Sequence, residues 1–109
     1  MISKREIDNR VKKSQALCLV KFQTTWSGAS QIIEPVYSEL ADLYSGVVHF
    51  YSVDVEEEAG IEAEYGITEL PTILFFRSGI IVDHVVGLIS KVRLSEKIEN
   101  ALSGNDKKL

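Results

Sequence analysis

An α/β fold, with a central mixed β-sheet flanked by helices, is predicted from three observations on this 109-residue chain. Ala16 to Gln23 is a nearly unbroken apolar run, as expected for a strand covered on both faces. Apolar residues recur at helical spacing on either side of it, in Ile7 and Val11 and again in Ile32, Ile33, Val36, Leu40 and Leu43. Further along, the apolar runs Thr72 to Arg77 and Ile80 to Val86 flank a Ser78-Gly79 turn and read as a β-hairpin. The elements follow the order α-β-α-β-α-β-β-α, which makes a sheet with helices packed on it.

Each element has a local reason. Ser3-Lys4-Arg5-Glu6 fits a capping box and opens a short helix from about 3 to 14, with Lys12 and Lys13 near its C-terminal end. The second helix runs from about Ala29 to Tyr44 and ends at Ser45-Gly46. Pro35 lies inside it and should kink it, because the ring removes a donor and crowds the preceding turn. Val47 to Val55 is the second strand. Glu56 to Tyr65 reads as an acidic helix whose glutamates favour its N-terminal end and which Gly66 stops. Ser90 to Leu102 is the last helix, with Val92, Leu94, Ile98, Ala101 and Leu102 toward the sheet. Residues 104–109 form a polar tail expected to fray.

Composition excludes several function classes. At 45% apolar residues the chain supports one domain, 1–109, with a real core. A net charge of -4 argues against nucleic acid, whose binding needs clustered Lys and Arg. No run of 18 apolar residues offers a membrane span. Met1 to Glu6 reaches acidic residues without an apolar core region, so no signal peptide is read and a cytoplasmic location is expected. Cys18, the one cysteine, cannot form an internal disulfide and is expected to be a buried, unreactive thiol. No cofactor and no metal are expected. His49 and His84 fall on separate strands without a ligand-spaced partner. The run Glu56-Glu57-Glu58, with Glu62 and Glu64, lacks the Asp/Asn alternation and Gly of a calcium loop.

The most informative stretch is Trp26-Ser27-Gly28-Ala29-Ser30-Gln31-Ile32, placed between the first strand and the helix that contains Pro35. With Leu19-Val20-Lys21-Phe22, Val53-Asp54-Val55, Tyr65-Gly66-Ile67, Leu70-Pro71-Thr72, Ser78-Gly79 and Val86-Gly87, it resembles the thioredoxin family over roughly residues 16 to 103. The resemblance implies the thioredoxin-like fold, a first edge strand reduced to Met1-Ile2 or missing, a cis bond before Pro71 and a setting in cell redox homeostasis. It also locates the departure. Where the family has Trp-Cys-Gly-Pro-Cys, both sulfur positions are hydroxyls, Ser27 and Ser30, and the loop proline is Ala29. A thiolate attacks a disulfide and two cysteines store the electrons, and serine does neither. The family's buried acid falls at Lys21, its neighbouring lysine aligns with Phe50, and its first tryptophan aligns with Gln23.

No catalytic residue is therefore expected: Ser27 reads as a helix cap, since the segment offers no base to make it a nucleophile. Simultaneous loss of the acid, its partner, the proline and both sulfurs favours natural loss of redox function over engineered replacement. Lys21 is read as a packed stem whose ammonium snorkels to the surface, against a retuned cationic site under the loop. Pro71 either maintains the fold or, as the resemblance implies, shapes a peptide groove formed with Trp26, Leu70 and Gly87. The expected function is a redox-inactive domain that binds a protein or peptide. Two alternatives stand beside it: a disulfide oxidoreductase in which Ser27 and Ser30 are engineered, and a structural module that homodimerises through the apolar strand Ile80 to Val86.

Overall fold

β1, Leu17–Gln23, is buried along its whole length because it has a strand on each side and helices on both faces. In the computed structural model, which describes residues 1–104, β1 pairs in parallel with β2, Val48–Asp54, and antiparallel with β3, Thr72–Arg77. β4, Ile80–Val86, extends the sheet antiparallel to β3, giving the order β2-β1-β3-β4. This is the thioredoxin-like α/β fold that the sequence predicts. The predicted tail beyond Gly104 lies outside the described residues. A first edge strand is reduced to one bond, in which the Ile2 N–H donates to the Ser52 carbonyl at 2.8 Å.

Side chains alternate across a strand, so β1 feeds two cores. Cys18, Val20 and Phe22 pack with Ile7, Val11, Val53, Ile61 and Leu74 on one face. Leu17 and Leu19 pack with Tyr37, Leu40, Phe75, Leu94 and Ile98 on the other. Lys21 and Gln23 share the parity of Leu17 and Leu19, so they face this second layer.

The first helix differs from its prediction. The capping box is present: the Ser3 hydroxyl accepts the Glu6 N–H at 3.2 Å, and the Glu6 carboxylate accepts the Ser3 N–H at 2.9 Å. The α-helical part, α1, covers only Lys4–Glu6 and continues as a π-helical turn, Ile7–Val11, in which Ile7 and Val11 are fully buried. The helix stops short of the predicted residue 14, and the Ser14 carbonyl beyond it accepts the Ser78 N–H from the β3–β4 turn at 3.0 Å. That turn has consecutive positive φ angles at Ser78 (52°) and Gly79 (81°), and a Cβ on Gly79 would lie 3.0 Å from the Lys12 carbonyl oxygen. Only glycine fits there without displacing backbone.

α2, Gly28–Leu43, includes Pro35 and lays a narrower seam on the sheet than predicted. Ile33, Tyr37, Leu40 and the following Tyr44 are buried, whereas Ile32 and Leu43 are 63% and 67% exposed. The seam is set by two tyrosines. The Tyr37 hydroxyl donates to the Tyr51 carbonyl at 2.6 Å and lies 3.1 Å from that of Leu19. The Tyr44 hydroxyl donates to Glu99 at 2.6 Å on α4, Lys91–Leu102. On α4 the Ser90 hydroxyl caps the start by accepting the Arg93 N–H, and Leu94, Ile98 and Ala101 are buried while Val92 is exposed.

The predicted helix from Glu56 shrinks to α3, Ile61–Tyr65. Residues 55–60 form turns, because the Asp54 carboxylate captures the Glu56 N–H at 2.9 Å and Gly60 adopts φ +83°. Gly66, at φ +67°, ends α3 as predicted. The seam on α2 has a direct check by urea denaturation. Leu40→Ala should cost about 2–5 kcal/mol, as for a buried leucine, and Leu43→Ala less than about 0.5 kcal/mol, as for a surface position. Equal losses would contradict the assignment.

Candidate functional site

The sheet register gathers the predicted site residues at one end of the molecule. Phe22 on β1 pairs with Thr72 on β3, and Thr72 pairs with Val86 on β4. The loop after β1, the residues before β3 and the residue after β4 therefore leave the sheet together, carrying Trp26, Leu70–Pro71 and Gly87. Trp26 is 83% exposed. The Leu70–Pro71 bond is cis, Pro71 is buried, and its carbonyl accepts the Gly87 N–H at 2.8 Å. A Cβ on Gly87 would meet the Glu69 carboxylate at 3.2 Å, and its φ of +83° also favours glycine.

At the other side of the loop the serines have different environments. The Ser27 hydroxyl caps α2 by accepting the Ser30 N–H at 3.1 Å, so its lone pair serves the helix end. Ser30 is buried, and its hydroxyl has no hydrogen-bond partner. Neither has a histidine or carboxylate hydrogen-bonded to it among the described residues.

Beneath them lies Lys21, and here the structure corrects the sequence reading. The lysine does not snorkel: its side chain has no exposure at all. Its Nζ donates to Glu34 Oε1 on α2 at 2.5 Å and sits 4.6 Å from the centroid of the Tyr37 ring. A carboxylate and an aromatic face compensate the desolvated ammonium from the same helix. Burial also pushes the Tyr37 phenol well above its usual range, so it remains a neutral donor to the backbone. The strand neighbour of Lys21 is Ser52, whereas Phe50 sits beside Leu19 and packs edge-on against Tyr37 at 5.1 Å.

Next to this pair is a cleft of about 520 Å³, bounded by the end of β1, the first half of α2, β2 and Met1. Gln23, Thr25, Ser30, Glu34 and Ser52 line it. Sequence reasoning did not identify it. Cys18 lies on the opposite core face, fully buried, with its thiol directed at the Ala16 carbonyl at 3.6 Å, and burial raises its pKa away from thiolate formation. His49 and His84 are both exposed, on different strands. No group of three His, Cys, Asp or Glu able to hold a metal occurs among the described residues.

Comparison with known proteins agrees with this geometry. The thioredoxin family model matches residues 1–100. The chain is 38% identical over 92 residues to "Thioredoxin M-type, chloroplastic" of Pisum sativum, covering 84% of this chain and 54% of that protein. It is 35% identical to "Thioredoxin 1" of Nostoc sp., covering 84% and 86%. With "Thioredoxin" of Staphylococcus saprophyticus it shares 39% identity, covering 77% and 81%. The chain belongs to the thioredoxin family. It spans about half the length of the pea protein and of the similar "Thioredoxin M-type, chloroplastic" of Spinacia oleracea. No described helix is long and apolar enough to cross a membrane.

The Lys21–Glu34 pair makes a quantitative prediction. Glu34→Gln strands a buried cation and should cost about 3 kcal/mol, whereas Lys21→Met leaves unpaired only the Glu34 carboxylate, 58% exposed to water, and should be near neutral or stabilising. In the double variant the loss should be recovered. Additive losses by urea denaturation would show that the pair is not coupled.

Proposed function

We propose that this protein is a redox-inactive member of its family that acts by binding a protein or peptide, and that a cytoplasmic setting goes with that role. The observation that carries the proposal is the site beneath the loop. The position that the family resemblance assigns to a buried acid holds Lys21, and α2 supplies the matching carboxylate, Glu34, at 2.5 Å. A cation compensated within the fold is an integrated arrangement, not the trace of two isolated thiol replacements. Both thiol positions are hydroxyls, Ser27 is engaged as a cap, and Cys18 is buried on the far core face. What the arrangement retains suits recognition. Trp26 is exposed, and the segment at Leu70–Pro71 lies at the end of the sheet beside Gly87, where an extended peptide could pair with backbone.

Insulin reduction with a thioredoxin reductase system tests the first half. No turnover above the uncatalysed background is expected. Turnover that Cys18→Ala removes would overturn the proposal. The double variant Ser27→Cys, Ser30→Cys should regain only weak activity, because Lys21 cannot accept a proton as a carboxylate does. Full family-level activity in that variant would favour the alternative, an oxidoreductase whose thiols have been replaced. The natural coding sequence at positions 27 and 30 decides between the two readings directly.

A second reading draws on β4, an open sheet edge on which Ile80, Ile81 and Val86 are 65%, 45% and 50% exposed. Such an edge is a template for strand pairing, and a homodimer joined along Ile80 to Val86 uses it. Sedimentation at micromolar concentration should then show a dimer that Ile81→Lys dissociates. A monomer at every concentration excludes this module.

A further inference from the structure

Hydrogen-bonded and open residue pairs alternate along an antiparallel ladder. The Gly87 N–H donates to the Pro71 carbonyl at 2.8 Å, so the next pair, Thr72 with Val86, is open, and Leu74 with His84 is open again. On β4, His84 and Val86 therefore turn their N–H and carbonyl groups away from β3, toward the edge of the sheet. Past Asp83 the register shifts opposite Phe75 and Phe76, which breaks the regular edge there. The segment His84 to Val86 is left as a short, regular, open edge beside Gly87.

One of its two outward donors is already taken. The Asp83 carboxylate bends round the edge, so that Oδ1 accepts the His84 N–H at 2.7 Å. Its other oxygen, Oδ2, lies 3.1 Å from Lys97 Nζ on α4. The helix thus holds the carboxylate where it covers the edge. A hydrogen bond to a carboxylate is stronger than one to a neutral carbonyl. An incoming strand has to displace it before its own carbonyl can reach His84.

The occupant that suits this edge is a second copy of the chain. Two β4 strands running antiparallel about a two-fold axis at Val85 bring His84 of one copy opposite Val86 of the other. Each outward N–H then meets an outward carbonyl. His84 and Val86 share a face with Ile81, and all three line a cleft of about 300 Å³ together with Leu74 and Ile67. Ile81 and Val86 are 45% and 50% exposed, so pairing here covers apolar surface as well as the edge.

We propose that Asp83 is a latch on the β4 edge: engaged with His84 and Lys97 it holds the edge closed, and its release lets a second copy pair along His84 to Val86. The inference rests on the homodimer reading and adds what controls that dimer.

Amide hydrogen exchange, followed by NMR on dilute protein, reads the latch without association. Corrected for intrinsic rates, the His84 amide should exchange about tenfold more slowly than the Val86 amide, and Asp83→Ala should remove the difference. The comparison within the wild type needs no variant to fold. Sedimentation then reads the control of pairing. Asp83→Ala should dimerise about tenfold more tightly than the wild type, because the two capping bonds no longer have to be broken. Asp83→Asn loses the same charge but keeps an acceptor for the His84 N–H, so its affinity should stay nearer the wild type. Equal gains in the two variants would assign the effect to charge and overturn the latch. Equal exchange at His84 and Val86 in the wild type would overturn it as well. Dimers of one affinity in the wild type and Asp83→Ala would overturn the latch and leave the homodimer standing. Monomers throughout would exclude the homodimer, and its control with it.

Discussion

In the middle of β1 an ammonium group is held with no exposure to water, and a charge in that position is tolerable only if the fold supplies its partner. The partner is Glu34, thirteen residues on and one element away, assisted by the face of Tyr37. That need ties α2 to β1 in one register. Once Glu34 is over Lys21, Tyr37 lies one helical turn further along, and its hydroxyl reaches carbonyls of β1 and β2. Ser27 and Ser30 then start the helix at the end of the sheet, beside the segment before β3. This ion pair and the Tyr37 hydroxyl together fix how the start of α2 sits over β1.

The same contact bears on the chemistry. Thiol-disulfide exchange needs an ionisable sulfur and a group to take its proton. Here the loop has hydroxyls whose surroundings recruit one of them as a cap, and the group beneath the loop is a cation already committed to a carboxylate. Reinstating sulfur would still leave a site without a free base under it. Recognition has no such requirement. Exposed Trp26 and the backbone around Leu70–Pro71 are what the proposed binding role would draw on, through shape and hydrogen bonding alone.

Much of the fold was legible because its signals are local. The apolar run of β1, the Ser78-Gly79 turn and the Ser3 and Ser27 caps act within a few residues, and β3 and β4 have the predicted bounds. The misreadings arise where tertiary contacts decide. Ile32, Leu43 and Val92 look like core from spacing alone, but aromatic Tyr37 and Tyr44 take the seam because their hydroxyls find partners there. The acidic stretch from Glu56 has helical composition, but Asp54 and Gly60 turn it instead. Lys21 looked like a snorkelling side chain because nothing near it in sequence is its counter-ion. The cleft could not be read at all, since an unpartnered atom is a property of the folded arrangement. Gln23 standing in place of a family tryptophan was the only available signal.

Central to this account is that the face carrying Trp26, Leu70–Pro71 and Gly87 binds an extended polypeptide without exchanging disulfides. The most direct measurement is NMR shift mapping with an unstructured, cysteine-free protein segment as ligand. Saturable shifts centred on the amides of Leu70 and Gly87 and on the Trp26 indole, with no covalent adduct by mass spectrometry, are predicted. Shifts confined to β4, or none at this face at any ligand concentration, would contradict it.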